Sequence, residues 1–273
     1  MGDNQSSNDQ RKDLEKYTMI PATELPLTEN CIHYEQKQEV PWDLLKYWSQ
    51  RYTLFEAYDS GIYLTDDAWF GVTPEPVAQQ IAYEVARVSP SKTTIIDLFA
   101  GVGGNAIQFA LSERWDRVIA VERDGDTLAC AQNNAKIYEI TNEITWVHAD
   151  SFEYLKLALE QPNKLHETLR IDPAATVLFA SPPWGGPGYR TDDIFNLHEM
   201  EPYNLKRLHE AYKSLDYALY LPRTSDLRQI ARLVPDGKKI EVVQYCIEGA
   251  SKALIAWIPA EGSPHETFYY YDE

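Results

Sequence analysis

The run Thr94-Ile95-Ile96-Asp97-Leu98-Phe99 opens directly into Ala100-Gly101-Val102-Gly103-Gly104-Asn105, and the apolar residues Ala106, Ile107, Phe109 and Ala110 follow at helical spacing. A β-branched run, a glycine cluster and then helical periodicity read as strand, tight turn and helix. Glycine lets the backbone turn sharply and approach a ligand, and the helix N-terminus beyond it offers N–H groups to an anion. Glu122 closes a second strand, Arg117-Val118-Ile119-Ala120-Val121, where a carboxylate can accept both hydroxyls of a ribose. The loose pattern Gly101-x-Gly103-x-x-Ala106 also fits a dinucleotide fingerprint, so a nicotinamide-binding reading stands beside the others at this point.

Strand and helix patterns alternate from Thr94 to about Leu233, which predicts a parallel, doubly wound sheet. Lys239 to Ile247 and Ser251 to Ile258 are adjacent strand-like runs joined through Glu248-Gly249-Ala250, an expected antiparallel hairpin at the sheet edge. Gln161 to Pro173 reads as a loop insertion. Upstream, a helix is expected from Asp43 as N-cap, with Leu44, Trp48, Tyr52 and Phe55 on one stripe, and another from Pro74 to Val88 with Val77, Ile81 and Val85 inward. The division that follows is a polar tail over 1–38, expected to be disordered, a helical extension over 39–92, an α/β domain over 93–260, and an acidic, aromatic tail over 261–273.

A second motif names the chemistry. The apolar run Thr176-Val177-Leu178-Phe179-Ala180 ends in Ser181-Pro182-Pro183-Trp184, then Gly185-Gly186-Pro187. Two prolines, with fixed φ and no N–H, make a rigid exit that holds Ser181 and Trp184 at the carboxyl end of a strand, the edge where open α/β sheets bind ligands. The tetrad is similar to the active-site turn of enzymes that methylate an exocyclic base amine, in which a polar group and a carbonyl hold the amine and the aromatic ring stacks on the base. Asp97 on its strand can reach the ammonium group of S-adenosylmethionine. Asp150, in Trp146-Val147-His148-Ala149-Asp150-Ser151-Phe152, can accept from the adenine amine or cap the helix starting near Ser151, and the two roles are compatible. A dehydrogenase has no need for the Ser-Pro-Pro-Trp turn.

The blocks Lys46 to Phe55, Trp69 to Glu75, Gly101 to Ala110, Asn133-Asn134-Ala135, Ser181 to Pro187 and Leu221-Pro222-Arg223 together make the chain resemble the trimethylguanosine synthases, the RNA cap hypermethylases, over residues 41 to 260. The resemblance implies a class I S-adenosylmethionine-dependent methyltransferase fold, Rossmann-like, with a mainly parallel sheet, an antiparallel edge hairpin and a small N-terminal helical extension. It implies two successive methyl transfers to the N2 amine of a 7-methylguanosine cap on small nuclear and nucleolar RNA, with ribonucleoprotein partners delivering the RNA, in the nucleus and nucleolus and also the cytoplasm.

On that resemblance Ser181, Pro182 and Trp184 form the catalytic turn. Trp184 stacks on the methylated base, Asn134 and Ser181 bound its edge, and Lys46, Tyr189 and Arg223 face the cap phosphates. Asp97, Gly101, Gly103, Glu122, Asp150, Ser151 and Phe152 hold the cofactor, and Phe55 with the Thr73-Pro74 turn closes over it. Glu122 stands where the family has aspartate and Ala100 where it has cysteine; the longer carboxylate still reaches a ribose, and the second position needs only a small residue. Asp97 and Glu122 are expected at strand ends outside the core.

Other readings stay open beside this one. Ser-Pro-Pro-Trp alone does not name the base, so an adenine or cytosine amino-methyltransferase is an alternative. A catalytically silent cap-binding module is another, although it would need neither Asp97, nor the glycine turn, nor Glu122. The net charge of −17 fits an enzyme that grips one nucleotide and a few phosphates better than one that tracks a long RNA backbone. Residues 1–40 and 261–273 carry −8 of that charge and the remainder −9. No stretch approaches about 18 apolar residues, so no membrane span is expected. Cys31, Cys130 and Cys246 lack a Cys-x-x-Cys spacing and the six histidines are scattered, which argues for a reducing compartment and against a bound metal.

Overall fold

The computed structural model describes residues 17–185, 193–247 and 249–262. Four parallel crossovers build the frame: β1 (Thr94–Asp97), β2 (Arg117–Glu122), β3 (Ile144–His148), β4 (Thr176–Ala180) and β5 (Asp216–Pro222). The antiparallel hairpin β6 (Glu241–Ile247) and β7 (Ala250–Ile258) completes a seven-stranded sheet of order β3-β2-β1-β4-β5-β7-β6. The final strand inserts between β5 and β6, pairing antiparallel with both. The sheet order reverses direction between β1 and β4, and such a switch point opens a crevice at the carboxyl ends.

The strands are apolar on both faces because both are covered. Three short helices, α1 (Leu45–Trp48), α2 (Arg51–Leu54) and α3 (Ala68–Gly71), precede the sheet, and Ile95, Val118, Val177 and Phe179 face a core built with α4 (Glu75–Val88), α5 (Gly104–Leu111) and α6 (Gly125–Ile137). Ile96, Ile119, Leu178 and Leu219 face a second core built with α7 (Ser151–Glu160) and α8 (Leu205–Tyr212). Val77, Ile81 and Val85 of α4 are all buried, as their spacing predicts.

Two expectations need correction. The helix read from Asp43 to Phe55 is two short helices, Leu45–Trp48 and Arg51–Leu54. Ser49 interrupts it: its hydroxyl donates to the Lys46 carbonyl at 2.7 Å, the local side-chain bond that competes with helix continuation. The stripe is split accordingly, with Leu44 and Phe55 buried, Trp48 half-buried and Tyr52 48% exposed. Residues 17–38, expected to be disordered, lie packed across the domain. The Ala22 N–H donates to the Trp146 carbonyl on the outer strand β3 (2.8 Å), and Cys31 and Tyr34 are buried. This segment covers a sheet edge that would otherwise be open to pairing with another chain.

The expected insertion over 161–173 is likewise anchored. Leu165 and Leu169 are fully buried in the second core, and the Thr18 N–H donates to the Lys164 carbonyl at 2.7 Å. Among the described residues no helix is long and apolar enough to cross a membrane.

Candidate active site

The carboxyl ends of β1, β2, β3 and β4 carry most of the residues singled out above. Asp97 pairs in register with Phe179, so the Ser181-Pro182 turn begins two residues beyond Asp97's partner on the neighbouring strand. Asp97 is fully buried, not outside the core. Its Oδ1 accepts from the Phe99 N–H at 3.2 Å, while Oδ2 has no partner among the described residues. Burial, with a smaller push from the Glu122 charge, raises its pKa to about 7. A buried carboxylate with one unpartnered oxygen calls for a cation.

The glycine turn supplies the complementary half. Gly101 and Gly103 have φ of 54° and 92°, conformations that side-chain-bearing residues rarely adopt. Gly103 caps α5 with no side chain on the first helical N–H groups, which are left for an anion. An amino acid end, with its ammonium and carboxylate, fits this pair of features.

Glu122 is half-buried, and desolvation raises its pKa against the pull of three backbone donors. Its Oε2 accepts from Gly101 N–H, and its Oε1 from the N–H groups of Arg123 and Asp124, each at 2.9 Å. A carboxylate has about four acceptor positions. Glu122 therefore keeps one, on Oε2, and cannot accept both hydroxyls of a ribose without giving up a backbone bond.

Asp150 takes the capping role: its Oδ1 accepts from the N–H groups of Phe152 (2.9 Å) and Glu153 (3.1 Å), and Oδ2 carries no hydrogen bond among the described residues. Ser151 is buried, and its Oγ has no partner among the described residues. Phe152 is half-buried, 4.8 Å from the Tyr203 ring and 6.0 Å from the Tyr212 ring, with the Arg207 guanidinium 4.7 Å above it.

On the β4 side, Trp184 is held rather than mobile. Its ring stacks on Tyr220 of β5 (5.6 Å, 19°), and its Nε1 donates to the Tyr220 carbonyl at 3.2 Å. Ser181 is half-buried, and its hydroxyl has no partner among the described residues; Pro182 beside it is buried. Lys46 and Arg223 are exposed cations with no acidic partner among the described residues, Arg223 donating only to the Ser251 carbonyl at 3.5 Å. Tyr189, expected at the cap phosphates, lies outside the described residues.

Two residues sit differently from expectation. Asn134 is fully buried, and its amide is consumed by backbone: Oδ1 accepts from Tyr63 N–H (2.9 Å), and Nδ2 donates to the carbonyls of Tyr63 (2.9 Å) and Val102 (3.0 Å). It fastens the extension to the glycine turn and presents nothing to a base edge. Phe55 is 3% exposed and packs near Tyr138, so it closes the extension onto α6. Thr73 is buried and Pro74 half-buried; the Thr73 hydroxyl accepts from Asn105 Nδ2 at 3.0 Å.

Sequence reasoning missed several members. Glu75 is buried and gathers the Glu56 N–H (2.6 Å), the Tyr138 hydroxyl (2.8 Å) and the Gln108 amide (3.3 Å), fixing the turn after Phe55. Its place directly after Thr73-Pro74 was the available signal. Tyr203, Arg207 and Tyr220 come from the loop before α8, from α8 and from β5, and no local pattern marks them. Among the described residues no cluster of His, Cys, Asp and Glu is arranged to hold a metal.

The chain is similar to known proteins both in sequence and in fold. The chain is 35% identical over 231 residues to the trimethylguanosine synthase of Schizosaccharomyces pombe, covering 82% of this chain and 89% of that protein. It is 36% identical over 193 residues to the trimethylguanosine synthase of Saccharomyces cerevisiae, covering 69% of this chain and 58% of that one. In fold it is similar to a putative methyltransferase from Porphyromonas gingivalis W83, at TM-score 0.56 and 16% identity over 82% of this chain and 52% of that one. It is also similar to the METTL16 methyltransferase domain, at TM-score 0.51 and 18% identity over 79% of this chain and 96% of that one. These two likenesses establish the class I methyltransferase fold and nothing finer. A family model matches residues 92–261, from the approach to β1 to just past β7, and with the two synthases it decides the matter: the chain belongs to the RNA cap guanine-N2 methyltransferases.

Proposed function

We propose that the chain methylates the exocyclic N2 of a 7-methylguanosine RNA cap twice, using S-adenosylmethionine, to give the 2,2,7-trimethyl form. The observation that carries this reading is the pairing of two fixed groups across one switch point: Asp97 Oδ2, buried and unpartnered on β1, and the Trp184 ring, stacked on Tyr220 at the exit of β4. Asp97 and the bare N-terminus of α5 would hold the amino acid end of the cofactor, Glu122 one ribose hydroxyl, and Asp150 Oδ2 with Ser151 and Phe152 the adenine. When bound, the cofactor supplies an already activated sulfonium methyl.

The chain's own work is then selection and alignment. Methylation at N7 makes guanine cationic, and an indole face attracts a cation by about 0.5–2 kcal/mol more than a neutral ring. Trp184 therefore favours a cap that already carries the N7 methyl. The N2 amine is a weak nucleophile because its lone pair is delocalised, so holding it in line is worth more than a strong base. The Ser181 hydroxyl and the rigid proline exit are suited to that. Lys46 and Arg223 would meet the phosphates, and the overall charge of −17 leaves little to grip a longer RNA. Small nuclear and nucleolar RNAs, delivered by protein partners in the nucleus, are the substrates this reading favours.

Mass spectrometry of a 7-methylguanosine cap analogue incubated with the protein and S-adenosylmethionine tests it. Addition of one and then two methyl groups to the guanine is expected. Transfer to adenine or cytosine oligonucleotides with no transfer to the cap would sink the proposal.

A further inference from the structure

A buried polar atom left without a hydrogen bond costs about 1–3 kcal/mol. Among the described residues only two such atoms are carboxylate or amide oxygens, Asp97 Oδ2 and Asn105 Oδ1; the others are indole, phenol or alcohol groups. The two flank the same glycine turn, Asp97 ending β1 and Asn105 standing second in α5. Asn105 is 6% exposed, and its Nδ2 is already given to the Thr73 hydroxyl at 3.0 Å. That bond fixes the plane of the amide and leaves Oδ1 as its unused end.

We propose that Asn105 is a second anchor for the methyl donor's amino group, its Oδ1 accepting an ammonium N–H alongside Asp97 Oδ2. The inference rests on the cofactor reading given above. An ammonium carries three donors, and Asp97 has only one free oxygen to offer. A neutral amide adds an acceptor without adding negative charge to a crevice where Asp97 and Glu122 already repel each other. A carboxylate in its place would deepen that repulsion.

The same side chain reaches the N-terminal extension. A Cβ built on Gly104 would come within 3.2 Å of Val72 Cγ2 and 3.5 Å of the Thr73 carbonyl oxygen, so the extension rests directly on the turn. Asn105 thus holds the Thr73 turn with one end of its amide and the donor with the other.

Calorimetric titration of the full chain with three probes tests this. S-adenosylhomocysteine has both ammonium and carboxylate, decarboxylated S-adenosylmethionine has the ammonium alone, and methylthioadenosine has neither. Asn105→Leu should weaken the first two about tenfold and leave methylthioadenosine unchanged. Equal weakening of all three would mean general damage and would overturn the assignment, as would no change in any. Weakening of S-adenosylhomocysteine alone would transfer the contact to the carboxylate and also overturn it. If Asn105→Leu does not fold, Asn105→Ala is read by the same three ratios. A wild-type chain that binds none of the probes would refute the cofactor reading itself rather than the part given to Asn105.

Discussion

Asp97→Asn separates a residue kept for its ligand from one kept for its fold. The Asp97 carboxyl has a pKa raised from 3.8 to about 7 in the folded chain, chiefly by burial. A group whose folded pKa lies above its unfolded one holds a proton in the fold that it releases on unfolding. Stability then falls as pH rises through that window and levels off above pH 7. Over pH 5 to 8 the wild type should lose roughly 2–3 kcal/mol from this one carboxyl, or roughly 6 °C in melting temperature for a chain of this size. Asparagine keeps the shape and the acceptor for the Phe99 N–H but cannot ionise. Its curve should lack this drop, so that the stability of the variant relative to the wild type rises by roughly 2–3 kcal/mol between pH 5 and pH 8.

The binding consequence has the opposite sign. The ionised carboxylate is the form that holds an ammonium, so wild-type affinity for S-adenosylhomocysteine should drop about tenfold from pH 8 to pH 6, while Asp97→Asn binds weakly at both. Thermal unfolding at four pH values, with calorimetry at two, measures both arms. Parallel stability curves for wild type and variant would refute the reasoning, because the buried charge would then cost nothing.

Two more outcomes follow from the site. Trp184→Ala should lose cap-analogue binding yet retain S-adenosylhomocysteine, with Trp184→Phe between them; in the wild type, fluorescence quenching should show the N7-methylated cap bound about two- to thirtyfold more tightly than the unmethylated one, and equal affinity would remove the selective role of the ring. A chain starting at residue 36 should be destabilised relative to the full chain, because it loses buried Cys31 and Tyr34 and the bonds from Ala22 and Leu25 to the domain; an unchanged midpoint in denaturant would contradict the packing described for this segment.

The parts of the molecule that repeat a local rule were legible from the residues. The alternation from Thr94 onward yields the parallel sheet, and the hairpin at 241–258 follows from two strand-like runs around Gly249. What the pattern hides is the destination of polar side chains. Asn134 resembles a ligand-facing residue because its block matches the family, yet its amide is spent on the Tyr63 and Val102 backbone. The polarity of residues 17–38 suggests disorder, but a few well-placed contacts, Cys31, Tyr34 and the Ala22 N–H, hold the path. Tyr220 as the bed for Trp184 depends on the neighbouring strand, and no one-dimensional signal announces a partner 36 residues away.

Three successive residues of α6 grip three pieces of main chain. Gln132 exchanges hydrogen bonds with Thr23 and Leu25, Asn133 donates to the Gly61 carbonyl, and Asn134 clasps both sides of the Tyr63 peptide. Each of these bonds ends on a peptide group, which every residue type other than proline supplies in full. The helix therefore guides the route of the incoming chain through bonds that do not themselves read the side chains they meet. Gly61 at φ 100° and the buried Cys31, Tyr34, Ile62 and Leu64 still fix the letters around these grips, so new outer surfaces can be tried at little structural risk only at the exposed positions between them, such as Thr23 and Glu24.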